Sequence, residues 1–262
     1  MKITVFTSNK SRHNYLINLL SELCDELFVI QETSTIFPGV ISGSYEVSKN
    51  MEMYFKKVNK AQLKIFGNTY INNSKNIKIF PMLWGDLNKC SINILSDFLN
   101  SDIYIVFGSS FIKNELLEHL VINKAVNIHM GISPYYRGTD CNFWALYDNN
   151  PHLVGATIHL LSKGLDSGPI LYHALSNSTS NPFEYTMSTV KSAFYSLSER
   201  IRDKSIHLIK SMNQNKLLEI RYSKRADFNE KALNEYLKKN IDIKSKRFDL
   251  KLLKDPFFYK NN

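Results

Sequence analysis

The stretch from Lys2 to Gln31, KITVFTSNKSRHNYLINLLSELCDELFVIQ, predicts the fold class of this chain. Its apolar run Lys2 to Phe6 predicts a strand, and Glu26 to Gln31 predicts a second strand. Between them, over Arg12 to Cys24, apolar residues recur with the spacing of one helix face. The residues that carry this spacing are Tyr15, Leu16, Leu19 and Leu20. A strand, a helix and a strand in this order form a βαβ unit, whose strands pair in parallel.

The alternation of strands and helices continues beyond this unit, after an irregular loop over residues 32–45. Further strands are predicted at Ile77 to Phe80, Ile103 to Phe107, Ala125 to Ile128, Val154 to Leu161 and Ile170 to Ala174. Helices are predicted at Val47 to Gly67, Ser91 to Phe98, Lys113 to His119 and Pro182 to Met212. This order is typical of an α/β fold, with a Rossmann-like, mostly parallel sheet and helices on both faces. Such sheets bind their ligands at the carboxyl ends of the strands.

Residues 214–262 differ in composition and are predicted to form a small basic C-terminal appendage to a domain of residues 1–213. They contain thirteen Lys and Arg against seven Asp and Glu, and so carry +6 of the net charge of +9. Their aromatic residues are Tyr222, Phe228, Tyr236, Phe248, Phe257, Phe258 and Tyr259. These side chains either pack back onto the domain or form a homodimer contact. Because the stacking motifs of RNA-binding sheets are missing, a solvated face is favoured over nucleic-acid binding.

Simple features argue against several other classes of protein. The longest apolar runs are far shorter than the roughly 20 residues of a bilayer-spanning helix, so we expect no membrane partner. The amino terminus does not have the pattern of a signal peptide. Cys24, Cys90 and Cys141 are widely spaced and form no CxxC pair, which predicts neither a disulfide framework nor a metal site. Together these features predict a cytoplasmic protein.

The residues with the clearest chemistry lie in VNIHMGISPYYRGTDCNFW, residues 126–144, and in VGATIHLLSKGLDSGPI, residues 154–170. Asn127 and His129 stand two residues apart at a strand end, so their side chains point the same way. An amide can donate to a developing oxyanion, and an imidazole can exchange a proton near neutral pH. Asp166 lies in a turn before the next strand, where a carboxylate can orient the imidazole. Each residue alone is more often structural, but the combination indicates a catalytic group.

These motifs resemble those of the formyltransferases that use 10-formyltetrahydrofolate. The elements NIH, SP and YYRG, followed by Gly155, Thr157 and LDSG, stand in the order and spacing of that family. The resemblance implies that Asn127, His129 and Asp166 are the catalytic residues. It also implies the reaction, in which a neutral primary amine attacks the formyl carbon.

The resemblance further implies a folate site within residues 1–213, the catalytic domain. The matching residues are Gly108, Ser110, Phe111, Ile112 and Lys113 on one side and Leu161, Lys163 and Leu165 on the other. A flat ring suits this composition, because Gly108 lets the backbone approach closely and backbone groups can read the ring edges. The alternative is that GSSF, residues 108–111, is a loop that enters a helix with serine as its cap.

The branches of this family differ in the amine that receives the formyl group. The glycine-rich phosphate loop of the glycinamide ribonucleotide enzymes is replaced here by TSNKSRH at residues 7–13. The methionyl-tRNA enzymes carry an RNA-binding barrel for which the appendage is too short. The resemblance therefore favours a nucleotide-linked amino sugar, used in surface polysaccharides such as lipopolysaccharide O-antigen. A methionyl-tRNA-type enzyme and a non-catalytic folate- or nucleotide-sensing module are the alternatives.

A nucleotide sugar needs cations for its diphosphate and an aromatic ring for its base. The candidate substrate-binding residues are Lys10, Arg12, His13, Trp84, Tyr135 and Arg137. Arg137 fits equally well as a structural clamp on backbone carbonyls. We expect His159, two residues beyond Thr157, to support the site or the core rather than to act as a second catalyst.

Overall fold

The structure is a computed structural model that describes residues 1–243 and 249–259, so that Phe248 lies outside the described residues. The strands are β1 (Lys2–Ser8), β2 (Glu26–Thr33), β3 (Ile77–Leu83), β4 (Ile103–Val106), β5 (Val126–His129), β6 (Tyr136–Gly138), β7 (Ala156–Leu160), β8 (Ile170–Ser176), β9 (Arg221–Ser223) and β10 (Phe257–Tyr259). The α-helices are α1 (Ser11–Ser21), α2 (Lys49–Phe66), α3 (Asn114–Ile122), α4 (Cys141–Tyr147), α5 (Pro182–Arg202) and α6 (Glu230–Lys238). Short 3-10 helices span Asp86–Lys89, Ile92–Leu99, Pro151–Leu153, Ser205–His207, Lys216–Leu218, Arg225–Asp227 and Leu250–Leu252.

One sheet of eight strands runs through the molecule in the order β10-β8-β7-β5-β4-β1-β2-β3. Its strands pair in parallel, except that β7 is antiparallel to both of its neighbours. A separate two-stranded ribbon pairs β6 with β9 in parallel. The α/β fold class predicted from the sequence is confirmed.

Successive residues of the central strands face two apolar clusters on opposite sides of the sheet. Val5 of β1 lies in the larger cluster, together with Leu16 of α1 and Phe194 of α5. Phe6, the next residue, lies in the smaller cluster with Leu116 of α3. Because side chains alternate across a strand, helices on both sides bury both faces of β1.

Most predicted elements are present with ends displaced by a few residues. The segment Ser91 to Phe98, predicted as a helix, forms a 3-10 helix over Ile92–Leu99. The short helix α4 and the ribbon of β6 and β9 were not predicted. Within the part of the chain that the structure describes, no helix combines the length and apolar character needed to cross a membrane.

The helix predicted for Pro182 to Met212 is wrong over its last third, because α5 ends at Arg202. Lys204 adopts the left-handed conformation, with a φ of 63°. This conformation stops a right-handed helix. Ile206 is still buried, whereas Leu208 is 84% exposed. The apolar spacing beyond α5 therefore reflects a packed 3-10 turn and not a further helical face.

The described part of residues 214–262 packs against the rest of the chain. Ring centroids of Phe228 and Tyr236 lie 4.8 and 4.6 Å from that of Phe143. At the far edge of the main sheet, β10 pairs with β8, and Tyr259 of β10 stacks on Tyr195 of α5 at 5.0 Å. These three aromatic residues of the segment pack back onto the domain. The domain boundary at residue 213 stays a prediction.

Candidate active site

The carboxyl ends of the neighbouring strands β1, β4 and β5 lie side by side. Val106 of β4 pairs with Asn127 of β5, and Phe6 of β1 pairs with Val106. Parallel pairing sends the chain out of all three strands at the same edge. The loops that follow these strands, which contain most of the predicted site residues, therefore meet.

The turn between β7 and β8 brings Asp166 to Asn127 and His129. Asp166 has a φ of 46°, in the left-handed region. A Cβ on Gly168 would lie 1.7 Å from the carbonyl oxygen of Leu160, so only glycine fits at that position. Packing therefore requires the glycine of the LDSG motif. The turn places the Asp166 carboxylate next to Asn127 and His129.

Two side chains hold the turn around Asp166. Gln214 Nε2 donates to the carbonyl oxygens of Asp166 and Gly168, both at 2.8 Å. Arg137 Nη2 donates to the carbonyl oxygen of Leu165 at 3.0 Å. Arg137 thus makes the clamp contacts that were one of its two predicted roles.

His129 and Asp166 form a buried ion pair. Nδ1 of His129 lies 3.3 Å from Oδ2 of Asp166, and the side chains are 6% and 10% exposed. Burial alone lowers the pKa of His129, but the Asp166 carboxylate outweighs it and holds the pKa well above its usual range. Burial raises the pKa of Asp166, yet the charge of His129 keeps it low. The imidazole is therefore protonated at neutral pH, and its Nε2–H donates to the carbonyl oxygen of Tyr136 at 3.2 Å.

His159 fixes the orientation of the Asn127 amide. Nδ1 of His159 lies 2.8 Å from the carbonyl oxygen of Leu160, which can only accept, so Nδ1 carries a proton. The amide nitrogen of Asn127 can only donate, so Nε2 of His159 accepts from it at 2.9 Å. The same nitrogen lies 3.4 Å from Oδ1 of Asp166. The donor end of the amide thus points toward the ion pair.

Thr157 holds the turn that follows His129. Its hydroxyl donates to the carbonyl oxygen of Gly131 at 2.6 Å and accepts from the amide of Ser133 at 2.8 Å. A Cβ on Gly131 would lie 2.7 Å from Nε2 of His129 and 2.5 Å from Cβ of Cys141. The imidazole therefore packs tightly between this turn and the Cys141 thiol.

The buried carboxylate of Glu32, at the end of β2, anchors the predicted folate loop. Glu32 is fully buried and accepts hydrogen bonds from the backbone amide and the hydroxyl of Ser110. It also accepts from the amide of Gly85 at 2.8 Å. Asn88 holds the next part of the loop by donating to the carbonyl oxygen of Phe111 at 2.7 Å. The Ser110 hydroxyl is thus bound to Glu32. It does not cap α3, which was the alternative interpretation of residues 108–111.

Apolar residues connect the two groups of predicted folate-binding residues. Ile112 is buried in the smaller cluster, and Leu161 packs against the same cluster. Phe111 is 47% exposed and presents its ring at the surface. The remaining members, exposed or half-buried, are Gly108, Lys113, Lys163 and Leu165. An apolar base with an accessible ring and cations at its rim suits a flat, polar-edged ligand.

Lys10, Arg12 and His13 lie together after β1. The Lys10 amide donates to Nδ1 of His13 at 3.3 Å, and Arg12 donates to Gln62 at 2.6 Å. A Cβ on Gly108 would lie 2.8 Å from Nε2 of His13, so the loops after β1 and β4 are in contact. Burial, followed by repulsion from Arg12 and Lys10, lowers the pKa of His13 well below its usual value. His13 is therefore neutral between two cations.

Trp84 and Tyr135 differ in their position relative to these cations. Trp84 follows β3, two strands away from β1, or about 10 Å at the usual strand spacing, and its amide donates to the carbonyl oxygen of Thr33 at 3.1 Å. Tyr135 is buried, and its hydroxyl donates to the carbonyl oxygen of Leu252 at 3.3 Å. The burial of Tyr135 does not support the substrate-binding role predicted for it, whereas the role of Trp84, which is 45% exposed, stays a prediction.

Several residues that contact the candidate site were missed in the sequence. They are Glu32, Asp140, Cys141, Gln214 and Arg225. A carboxylate at the end of a buried strand was a usable signal for Glu32. Gln214 carries no local signal, because its two partners lie 48 and 46 residues away in the chain.

Comparisons with known proteins identify one family model and several similar structures. Residues 95–201 match the family model described as Formyl transferase. A 4-N formyltransferase from Francisella tularensis is 20% identical, with a TM-score of 0.54 over 87% of this chain and 77% of that one. An N-formyltransferase from Helicobacter canadensis, solved with folinic acid and dTDP-3-aminofucose, is 15% identical, with a TM-score of 0.52 over 87% and 73%. A phosphoribosylglycinamide formyltransferase from Anaplasma phagocytophilum is 16% identical, with a TM-score of 0.51 over 80% of this chain and 89% of that one.

The structural similarities show a shared fold at low sequence identity. The range of the family match contains Asn127, His129 and Asp166. Over residues 95–201 the chain is thus similar to the formyltransferase family.

Proposed function

We propose that this protein transfers the formyl group of 10-formyltetrahydrofolate to the primary amine of a nucleotide-linked amino sugar. A dTDP-linked 4-amino- or 3-amino-dideoxyhexose is the expected acceptor. The observation that carries the proposal is the contact of the Asn127 amide with the buried His129 and Asp166 pair, inside the matched family range. The relative from Helicobacter canadensis, solved with folinic acid and a dTDP-amino sugar, supports both substrates.

The loop after β4 and the turn after β7 would hold the donor. 10-Formyltetrahydrofolate supplies the formyl carbon when it is bound. The residues that would hold it are Gly108, Ser110, Phe111, Ile112, Lys113, Leu161, Lys163 and Leu165. Glu32 supports this assignment, because a buried carboxylate that holds the Ser110 amide fixes the loop before any ligand arrives. A preorganised loop lowers the cost of binding.

Asn127 and His129 stabilise the negative charge that develops on the formyl oxygen as the amine attacks. The amide of Asn127 is already oriented by His159, and the imidazole of His129 is already protonated. Each such donor contributes about 3 to 4 kcal/mol to the transition state. Asp166 keeps the imidazole charged and in place. The imidazolium gives its proton to the tetrahydrofolate nitrogen as the bond from that nitrogen to the formyl carbon breaks, and the neutral imidazole then takes the proton that the amine loses.

Lys10 and Arg12 are proposed to bind the diphosphate of the acceptor. They follow β1, and His13 between the loops touches Gly108 next to the donor loop. Two cations at the end of a strand can recognise a diphosphate without the glycine-rich loop of the ribonucleotide enzymes.

The C-terminal segment favours a small acceptor over tRNA. The two described strands of this segment do not pair with each other: β9 pairs with β6 in the ribbon, and β10 pairs with β8 in the main sheet. An RNA-binding barrel needs strands that pair with each other. The complete catalytic group likewise argues against a sensing module. A homodimer, a cytoplasmic location and a role in O-antigen synthesis stay predictions.

A mass-spectrometric assay tests the proposal. The purified protein is incubated with 10-formyltetrahydrofolate and with dTDP-, UDP- and GDP-linked 3-amino and 4-amino sugars, and in parallel with charged initiator tRNA. A gain of one formyl mass on a sugar nucleotide supports the proposal. Formylation of the tRNA alone contradicts it, and the absence of both products together with absent folate binding favours a sensor.

A further inference from the structure

The C-terminal segment brings Arg225 to the edge of the candidate site. In the ribbon, Gly138 of β6 pairs with Ser223 of β9, and a Cβ on Gly138 would lie 2.0 Å from the carbonyl oxygen of Ser223. Parallel strands leave a ribbon in the same direction. Asp140 and Arg225, each two residues beyond this pair, therefore emerge side by side, and their charges interact.

Arg225 also reaches the loop that follows β2. Its guanidinium donates to the carbonyl oxygen of Ser44 and lies 4.8 Å from the ring centre of Tyr45. Arg225 remains exposed, so part of the guanidinium faces solvent. Two separate segments of the chain, the loop after β2 and the ribbon, thus meet at this side chain, and its charge interacts with that of Lys10 after β1.

Lys10, Arg12, Arg225 and Asp140, which we call the acceptor-edge cluster, carry an excess of positive charge. Burial, followed by repulsion from Arg12 and Arg225, lowers the pKa of Lys10 to about 8. Asp140 attracts Lys10, but loss of hydration raises the pKa of Asp140 itself to about 6, against the pull of Arg225 and Lys10. One carboxylate therefore faces three cations. A bound anion would relieve the repulsion among them.

The acceptor-edge cluster lies next to the candidate catalytic pair. Asp140 directly precedes Cys141, and Cys141 and the His129 ring both pack against Gly131, where a Cβ would lie 2.5 Å from Cβ of Cys141 and 2.7 Å from Nε2 of His129. The cluster is therefore joined to the catalytic pair through Cys141.

We propose that Arg225 binds the diphosphate of the acceptor together with Lys10 and Arg12, so that the C-terminal segment completes the acceptor pocket. This inference rests on the proposed function, because it takes the acceptor to be a nucleotide sugar. A guanidinium suits the role, since its planar donors match two phosphate oxygens at once. The basic appendage then has a specific contact with a small substrate.

Three variants test the inference. Arg225→Gln removes the charge, Arg225→Lys retains it, and Lys224→Gln removes the same charge from the neighbouring exposed residue as a matched control. Calorimetric titration measures the affinity of each protein for dTDP, UDP and inorganic pyrophosphate, and separately for tetrahydrofolate. Thermal melting of each variant checks the fold.

Arg225→Gln is expected to weaken dTDP or UDP binding by about tenfold or more, as the loss of a charge-assisted hydrogen bond implies. Tetrahydrofolate affinity and melting temperature should not change. Arg225→Lys should restore part of the nucleotide affinity, and Lys224→Gln should bind as the wild-type protein does. With a sugar nucleotide that the protein formylates, KM for the acceptor should rise in Arg225→Gln while kcat is kept.

Unchanged nucleotide affinity in Arg225→Gln overturns the inference, and so does a wild-type protein that binds none of the three anions. An equal loss of nucleotide and tetrahydrofolate affinity also overturns it, because Arg225 then only holds the loop at Ser44. All these results leave formyl transfer itself untouched. The opposite case is also possible: nucleotide binding depends on Arg225, but the protein formylates no sugar nucleotide. That result supports the anion site and contradicts the proposed function.

Discussion

The turn at Asp166 and the C-terminal segment border the same site, but only the contribution of the turn could be predicted from the sequence. Asn127 and His129 stand two residues apart on β5, and LDSG carries its own turn chemistry. The C-terminal segment contributes Gln214 and Arg225 through contacts with distant residues. The groups proposed to react thus come from compact motifs, whereas Gln214, which holds the turn, and Arg225 come from elsewhere in the chain.

Loss of the Asp166 carboxylate should have the largest effect. Asp166→Asn keeps the shape of the side chain but removes the anion, so the pKa of His129 should fall toward its ordinary value. We expect kcat to drop by about a thousandfold or more, as in other His–Asp pairs. Formyl-transfer kinetics and an NMR titration of His129 measure both effects. A wild-type rate would remove the pair from the mechanism.

Loss of the Asn127 amide should be the next largest effect. Asn127→Ala removes one oxyanion donor, and kcat should fall by about a hundredfold to a thousandfold. Tetrahydrofolate affinity, measured by calorimetry, should stay close to that of the wild-type protein and so serves as the control for folding. If kcat falls less than about tenfold, the amide does not face the formyl oxygen.

Gln214→Ala tests whether the C-terminal segment supports the turn. Two hydrogen bonds to the carbonyl oxygens of Asp166 and Gly168 are lost, which should cost about 1 to 3 kcal/mol in the free energy of unfolding. We expect kcat to fall by about tenfold, because the carboxylate is less well placed. Lys216→Ala, an exposed neighbour, is the matched control in denaturant unfolding and kinetics. If the two variants unfold and react alike, Gln214 does not support the turn at Asp166.

Glu32→Gln tests the anchoring of the donor loop. The change weakens the hold on the Ser110 amide and hydroxyl, so KM for 10-formyltetrahydrofolate should rise severalfold while kcat is kept. Ser110→Ala, which keeps the amide contact, should show a smaller rise. An unchanged KM in Glu32→Gln would place the donor away from this loop.

The smallest expected effect is a pH dependence of acceptor binding. Lys10, with a pKa of about 8, is charged below that pH and loses its charge as the pH rises through it. Since the charged form binds the diphosphate, KM for the acceptor should increase from pH 7 to pH 9. Lys10→Met should show a higher KM that no longer changes over this range. A wild-type KM that falls with rising pH would oppose the assignment of Lys10.

The sequence predicted the strands β1 to β5, β7 and β8 of the main sheet and the three polar side chains of the candidate site. Period-two spacing placed Asn127 and His129 on one face of a strand, and Asp166 followed from its turn and the family resemblance. The end of α5 at Arg202 was not predictable, because a left-handed Lys204 has no residue-type signal. The ribbon of β6 and β9 was missed for another reason: three-residue strands have no periodicity.

The sequence by itself thus determined the α/β fold class and the placement of Asn127 and His129 on one face of a strand, because both depend on spacing between near neighbours. Only the tertiary structure decided the protonation of His129 and the orientation of the Asn127 amide. It also decided which distant residues hold the site, such as Arg225, whose contact at Ser44 lies 181 residues away. The physical reason is that burial, charge pairing and hydrogen-bond direction exist only after distant segments have packed together.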